Sequence, residues 1–420
     1  MTLKNTVREL YQHPLGKDFI DSFLFKTGRS HWTVFNPLVQ RMSIKTAGRF
    51  LGASFTDLLS HTDLLSVVND EFDLPDPITV PTAAAWWKEA VFYNPTTGVA
   101  DDLDYFLDLG ITALLVDSTE DVLAAQAVRG HGIKLVVNVK WGAFDRMLNT
   151  MKQWLEWGAD GFCLNGIGLD IYGYQLHKSL KEIRKFLSDS ANSALLMGTT
   201  RGIGPSGVRL LSDAHRKELD LVLSLDDVEH AFDFHDFYSP KRFYMSRLNV
   251  DKGHGWHSLA LLNVKRDAKE EYQIPIAKML AVMQFTLRGT PFIWQGDELG
   301  NELGNVAETN SRKQEARKQE ARKQELDANS VLSFYHDLII LRKSAQALHY
   351  GALTFLNTGK SGILNYTRIL SPTGENFYIE VNMSPKARAS EAPTGLVFEL
   401  GNYGTGTGKL RPYEARIYKQ

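Results

Sequence analysis

Gly161-Phe162-Cys163-Leu164-Asn165 is a short apolar run that follows an amphipathic stretch, Asp145–Trp157, across the turn residues Gly158-Ala159-Asp160. A helical period that breaks at a glycine and gives way to a brief continuous apolar run reads as helix, turn and buried strand. Similar runs occur at Ala90–Tyr93, Ala113–Val116, Leu135–Val139, Ala194–Gly198, Leu221–Leu225, Ser258–Asn263 and Pro291–Gly296. With Gly161–Asn165 they make eight strands, mostly alternating with helical stretches. That order predicts an α/β fold, a TIM-type (β/α)8 barrel; an open doubly wound sheet is the competing arrangement. The intervals are uneven, which a barrel with variable loops tolerates.

The flanks carry other rhythms. Residues 1–80 read as an N-terminal helical module, with Phe19, Ile20, Phe23, Leu24 and Phe25 near helical spacing. Pro75, Pro77 and Pro81 form a stiff junction before Trp86-Trp87, where the barrel, expected over 86–345, begins. Within it, residues 312–326 hold the pentad Arg-Lys-Gln-Glu-Ala twice, closed by Arg322-Lys323-Gln324-Glu325-Leu326. Five residues turn a helix about 140° past a full turn at roughly 3.6 residues per turn, so no apolar stripe forms. Pairs at i, i+3 such as Arg312 with Glu315 and Arg317 with Glu320 support a solvated helix or a mobile linker. The glutamates dilute the charge too much for a nucleic-acid tract. A helix from Ser330 to about Lys343 leads into period-two strands at Gly362–Ile369, Asn376–Asn382, Gly395–Leu400 and Tyr413–Tyr418. These predict a C-terminal antiparallel, sandwich-like β domain over 346–420.

Composition sets outer bounds. The 420 residues are 43% hydrophobic and 23% charged, ordinary globular usage. Basic and acidic residues number 47 and 49, so no bulk field draws the chain to nucleic acid or to an anionic membrane. A single cysteine, Cys163, excludes an internal disulfide and fits a reducing cytoplasm. The first residues lack a signal-peptide pattern, and no apolar run approaches membrane-spanning length. The expectation is a soluble cytoplasmic protein.

Several segments go further. Trp86-Trp87-Lys88-Glu89-Ala90-Val91-Phe92-Tyr93, Leu103-Asp104-Tyr105-Phe106-Leu107-Asp108-Leu109-Gly110-Ile111, and the approach Trp154–Phe162 to the central run resemble segments of the alpha-amylase family, glycoside hydrolase family thirteen. Arg288-Gly289-Thr290-Pro291-Phe292-Ile293-Trp294-Gln295-Gly296-Asp297-Glu298-Leu299-Gly300 carries the most specific match, to the family's last strand in its oligo-1,6-glucosidase and alpha-glucosidase branch. The resemblance runs from about 86 to 420. It implies hydrolysis by two carboxylates roughly 5–5.5 Å apart, one attacking the anomeric carbon and one protonating the leaving oxygen. It places the nucleophile at Asn165, the acid/base at Thr199 and the transition-state-stabilising acid at Lys265. None is a carboxylate, and Cys163 stands where an arginine would hold the nucleophile ionised. The substrate-binding Asn-His after the third strand is also replaced, by Asn138-Val139-Lys140-Trp141-Gly142-Ala143, and the loop domain inserted there is missing.

Substitutes can be named. Asp117 closes the second strand, Asp226 and Asp227 the sixth, Asp297 and Glu298 the eighth, and all are expected at one rim, where a structural role competes with a catalytic one. Asn165-Gly166 is a deamidation-prone pair, and its conversion would regenerate an acid. Gly202-Ile203-Gly204-Pro205-Ser206-Gly207 matches a dinucleotide fingerprint, but Pro205 removes a backbone donor from the would-be phosphate cradle. Glu229, His230, His235 and Asp236 match no tight metal-ligand spacing. Trp154 and Trp157, at i and i+3, read as core packing rather than as sugar platforms, and Cys163 as a buried strand residue. No cofactor and no metal are expected. The leading expectation is a non-catalytic alpha-glucosidase homologue of carbohydrate metabolism, binding an oligosaccharide or a protein partner. An active alpha-glucosidase using Asp226 and Asp227 is the alternative, and a decayed product without function is the third.

Overall fold

In the computed structural model, eight parallel strands close on themselves. They are β1 (Phe92–Asn94), β2 (Ala113–Asp117), β3 (Lys134–Lys140), β4 (Gly161–Asn165), β5 (Leu195–Thr200), β6 (Leu221–Ser224), β7 (Trp256–Ala260) and β8 (Thr290–Trp294). β1 bonds to both β2 and β8, which closes the ring. The structure describes residues 2–13, 16–17, 20, 32–52, 85–95, 99–118, 126–128, 130–167, 174–190, 194–200, 208, 210–212, 218–224, 256–260, 269–300, 311–356, 362–371, 373–404 and 408–420.

Strands buried on both faces need continuous apolar sequence, and Val136-Val137 or Phe162-Cys163-Leu164 supply it. Helices α5 (Leu103–Leu109), α6 (Phe144–Trp157), α7 (Tyr174–Ser190) and α8 (Glu270–Thr286) belong to the outer layer. Tyr93 packs on Phe106 of α5, with ring centroids 5.1 Å apart, so Tyr93 faces outward. Its neighbours Phe92 and Asn94 therefore face the lumen, because side chains alternate along a strand. Phe92 stacks on Phe292 at 5.4 Å, and together they plug the lower barrel. Register carries this orientation around the ring. Phe92 pairs with Ala113, Asp117 with Asn138, Asn138 with Cys163, and Cys163 with Met197. One layer higher, Lys140 pairs with Asn165 and Asn165 with Thr199.

Before the barrel, helices α1 (Val7–Gln12), α2 (Trp32–Phe35), α3 (Pro37–Arg41) and α4 (Ile44–Leu51) enclose a small core of Val7, Leu10, Ile20, Val34, Ile44 and Ala47. Leu210, from the segment after β5, belongs to the same cluster and ties this module to the barrel. A capping box starts α1, with Thr6 and Glu9 bonding each other's backbone N–H. Phe19, Phe23, Leu24, Phe25 and the three junction prolines lie outside the described residues.

After the barrel, α9 (Ser311–Glu325) and α10 (Val331–Ser344) precede the strands β9 (Ala352–Phe355), β10 (Ile363–Leu370), β11 (Glu375–Asn382), β12 (Val397–Gly401) and β13 (Ala415–Lys419). These strands form an antiparallel sheet in the order β12-β13-β11-β10-β9. Among the described residues it is one sheet, packed on α8 and on the helical turn Gln346–Tyr350 rather than on a second sheet. β9 was not foreseen. β13 starts at Ala415, two residues later than Tyr413, because Tyr413 has φ +56°, a left-handed backbone no strand accommodates. At the seam with the barrel, the fully buried Arg342 donates to the carbonyls of Phe285 and Gly289, both at 2.6 Å. Arg368 of β10 donates to Thr286 O at 2.7 Å, and Thr286 Oγ1 meets Tyr366 Oη at 2.7 Å. Cations at the C-terminus of α8 complement its dipole.

The pentad segment is the main departure. It is a helix, as one reading allowed, but it is not solvated all round. Ala321 is only 4% exposed, Arg317 bonds Asp102 and lies over the Tyr105 ring, and Gln324 donates to Leu299 O at 3.0 Å. Arg317 therefore pairs across the fold instead of with Glu320. The docking face takes Arg317, Ala321 and Gln324 rather than one repeated residue type because the five-residue period sweeps each type past it in turn. No described helix is long and apolar enough to cross a membrane.

Candidate functional site

The C-terminal ends of barrel strands gather inward-facing side chains at one rim, where such folds place their sites. β4 delivers the central one. Gly161 begins the strand because a Cβ there would stand 2.6 Å from Leu195 Cβ, so only glycine lets β4 approach β5 this closely. Gly161 through Leu164 are buried and Asn165 emerges exposed. Trp154, buried on α6, packs edge-on against Trp157 at 5.0 Å, the core role the i, i+3 spacing predicted.

Asn165 and Thr199 are register partners on β4 and β5. Adjacent strands lie about 4.8 Å apart, so these two positions have the spacing that a retaining carboxylate pair uses, with an amide and a hydroxyl on them. Cys163 lies one layer below, fully buried, its Sγ 3.2 Å from Thr199 Oγ1. Burial pushes this thiol up to about 12, so it carries no thiolate at neutral pH and is not a nucleophile. The position that would carry an arginine beneath the nucleophile instead links the two strand ends through a neutral contact.

Lys140 ends β3 at the rim, a residue that no apolar-run pattern marks. It is exposed and in register with Asn165, and counting two residues on from the inward Asn138 would have found it. Asn138 is half-buried, and its Oδ1 has no hydrogen-bond partner among the described residues. Asp117 faces the same lumen at the end of β2 and is exposed. Lys265, Asp226 and Asp227 lie outside the described residues, as do Gly202–Gly207 and Glu229, His230, His235 and Asp236.

Asp297 and Glu298 follow the end of β8 but are buried rather than exposed. In the 3-10 turn Asp297–Leu299, Glu298 is fully buried. It accepts hydrogen bonds from Tyr93 Oη at 2.8 Å and Tyr105 Oη at 2.9 Å, on the outer side of β1, and from Gly296 N at 2.7 Å. Burial holds its carboxyl above the usual range. Asp297 accepts from Trp294 N at 3.3 Å. Both carboxyls are buried in the turn that follows β8, where they brace it. Among the described residues no group of three or more His, Cys, Asp or Glu could hold a metal ion.

The described rim thus offers amides, a hydroxyl, one carboxylate and one ammonium. It suits hydrogen bonding to a polyhydroxylated ligand, and its described carboxyls include no pair across a bond.

No family model matches the chain. It is 22% identical over 380 residues to an oligo-1,6-glucosidase of Parageobacillus thermoglucosidasius, covering 64% of this chain and 66% of the relative. It is 28% identical over 239 residues to an alpha-glucosidase of Pediococcus pentosaceus, covering 47% of this chain and 40% of that one. The chain therefore spans about two thirds or less of the length of these relatives. Among solved structures, it is similar to the trehalulose synthase MutB of Pseudomonas mesoacidophila MX-45, with a TM-score of 0.65 over 81% of this chain at 18% identity. That likeness establishes the fold: a TIM barrel with a C-terminal antiparallel sheet, in a chain similar in sequence to oligo-1,6-glucosidases and an alpha-glucosidase.

Proposed function

We propose that this chain is a member of the alpha-amylase family, of its oligo-1,6-glucosidase and alpha-glucosidase branch, that binds short alpha-glucosides without hydrolysing them. The observation that carries this reading is the pair Asn165 and Thr199, register partners with neutral side chains, above a buried neutral thiol. An amide cannot form the glycosyl intermediate and a threonine hydroxyl cannot protonate a leaving oxygen at neutral pH, while both hydrogen-bond to sugar hydroxyls. Loss of one such group already removes most of the rate, because catalytic groups act as a unit. The buried unpaired Cys163 suits a reducing cytoplasm.

The test combines calorimetry with maltose, isomaltose and trehalose and an assay for p-nitrophenol release from the alpha-glucoside. The expected result is saturable heat with at least one sugar and no release. Release that Asp226→Asn or Asp227→Asn abolishes would overturn the non-catalytic reading in favour of an active glucosidase. Absence of heat with all three sugars would overturn the sugar-binding reading and leave a protein partner as the ligand.

A further inference from the structure

Asn165 and Gly166 form the chain's sole Asn-Gly pair. The structure puts that pair in an unusual setting, since both residues are exposed at the rim, where a nucleophile would stand. Gly166 has φ +80°, and nothing lies within 4 Å of where a Cβ would be. No neighbouring side chain crowds Gly166, so water reaches the peptide bond that follows Asn165, the last residue of β4. Two other asparagines are fixed by their surroundings. Asn382 Nδ2 donates to Lys386 O and Arg411 O, and Asn402 Nδ2 to Pro275 O and Tyr413 O. Beside Asn165, on the neighbouring strand, stands the ammonium-bearing Lys140.

We propose that Asn165-Gly166 is a self-modification site, at which the chain installs a carboxyl group in its own barrel rim without an enzyme. The amide nitrogen of Gly166 gives up its proton to hydroxide and attacks Cγ of Asn165. The bond from Cγ to the side-chain nitrogen breaks, and that nitrogen leaves as ammonia. Water then opens the resulting five-membered imide at one carbonyl or the other. Opening at one side gives aspartate. Opening at the other gives isoaspartate, whose main chain runs through the former side chain. The net change is one water consumed and one ammonia released, with no redox partner. In the aspartate form the new negative charge lies between Lys140 and Thr199, and Lys140 supplies the cation that Cys163 cannot. In the isoaspartate form the extra main-chain atom pulls Asn165 O away from Trp141 N, which it now accepts from at 2.8 Å, and frays the end of β4.

The experiment ages the full folded chain in mildly alkaline buffer and follows its proteolytic peptides by mass spectrometry, with ammonia measured in parallel. The expected result is a progressive gain of the amide-to-acid mass difference on the Asn165 peptide, split chromatographically into two isomers. Asn149, within α6, should stay unchanged, and Asn165→Gln should show no gain at that site. Persistence of the Asn165 amide in the folded chain, over a time in which a synthetic peptide of residues 161–167 converts, would overturn the proposal. That comparison needs no variant to fold. It also stands apart from the sugar-binding reading, because neither the mass gain nor the ammonia depends on a saccharide.

Discussion

Replacing Asn165 by aspartate and Thr199 by glutamate together sets two carboxyl groups on register partners of β4 and β5. With strands about 4.8 Å apart, the two charges stand about 5 Å from each other, allowing for the longer glutamate arm. Their repulsion is about 3 kcal/mol at an effective dielectric near 20. Position 165 is exposed and position 199 half-buried, so solvent screening reduces this to about 1.5 kcal/mol, or about one pKa unit. Lys140, in register with position 165, favours ionisation there first and directs the upward shift onto position 199. The introduced glutamate should therefore titrate about one unit higher in the double variant than in Thr199→Glu alone. Carbon-detected NMR titration of labelled carboxyl groups in the single and double variants measures the difference directly. Equal titration of that glutamate in both proteins would refute the claim that register fixes the spacing at this rim, and would mean that the strand ends splay.

Two further outcomes follow from buried groups. Burial holds the Glu298 carboxyl above its ordinary range, so over that window the folded chain keeps a proton the unfolded chain has released. Stability drawn from this group is full below the unfolded value and is lost as pH rises through the folded one. Glu298→Gln should flatten that slope, and denaturant unfolding of both proteins from acid to neutral pH that gave parallel curves would sink the assignment. On α9, Ala316 and Ala321 occupy the same place in the pentad, but Ala316 is exposed and Ala321 buried. Ala321→Glu should cost about 2 kcal/mol through desolvation and lost packing, and Ala316→Glu less than about 0.5. Equal melting temperatures for the two variants would show that α9 does not dock as described.

How much the residues disclosed depends on where each signal resides. β4 has the bounds its apolar run predicted, because a glycine turn delimits it on one side and a polar residue on the other. β1 begins at Phe92 rather than Ala90, since Trp86–Glu89 takes a helical turn first. The amide and hydroxyl at 165 and 199 were legible from sequence, but their adjacency across two strands, and the thiol beneath them, needed the register. The burial of Glu298 was not legible because a residue after a strand carries no local sign of what its turn will pack against. What decides it are two tyrosine hydroxyls about two hundred residues away in sequence. The pentad helix failed differently. A search for apolar periodicity is blind to a face built from an arginine, an alanine and a glutamine, each satisfied by a distant partner.

The seam at Thr286 gives the molecule a shared fate. Arg342 secures the end of α8 from the barrel side, while Arg368 and Tyr366 reach the same turn from the C-terminal sheet. Detaching the sheet would leave the Thr286 carbonyl, hydroxyl and neighbouring apolar surface facing water at the foot of β8, the strand that closes the ring against β1. The barrel and the sheet therefore share one buried set of polar groups, and neither satisfies it alone. A lesion at Arg368 or Tyr366 in the last domain would leave polar groups of the barrel's own helix unpaired.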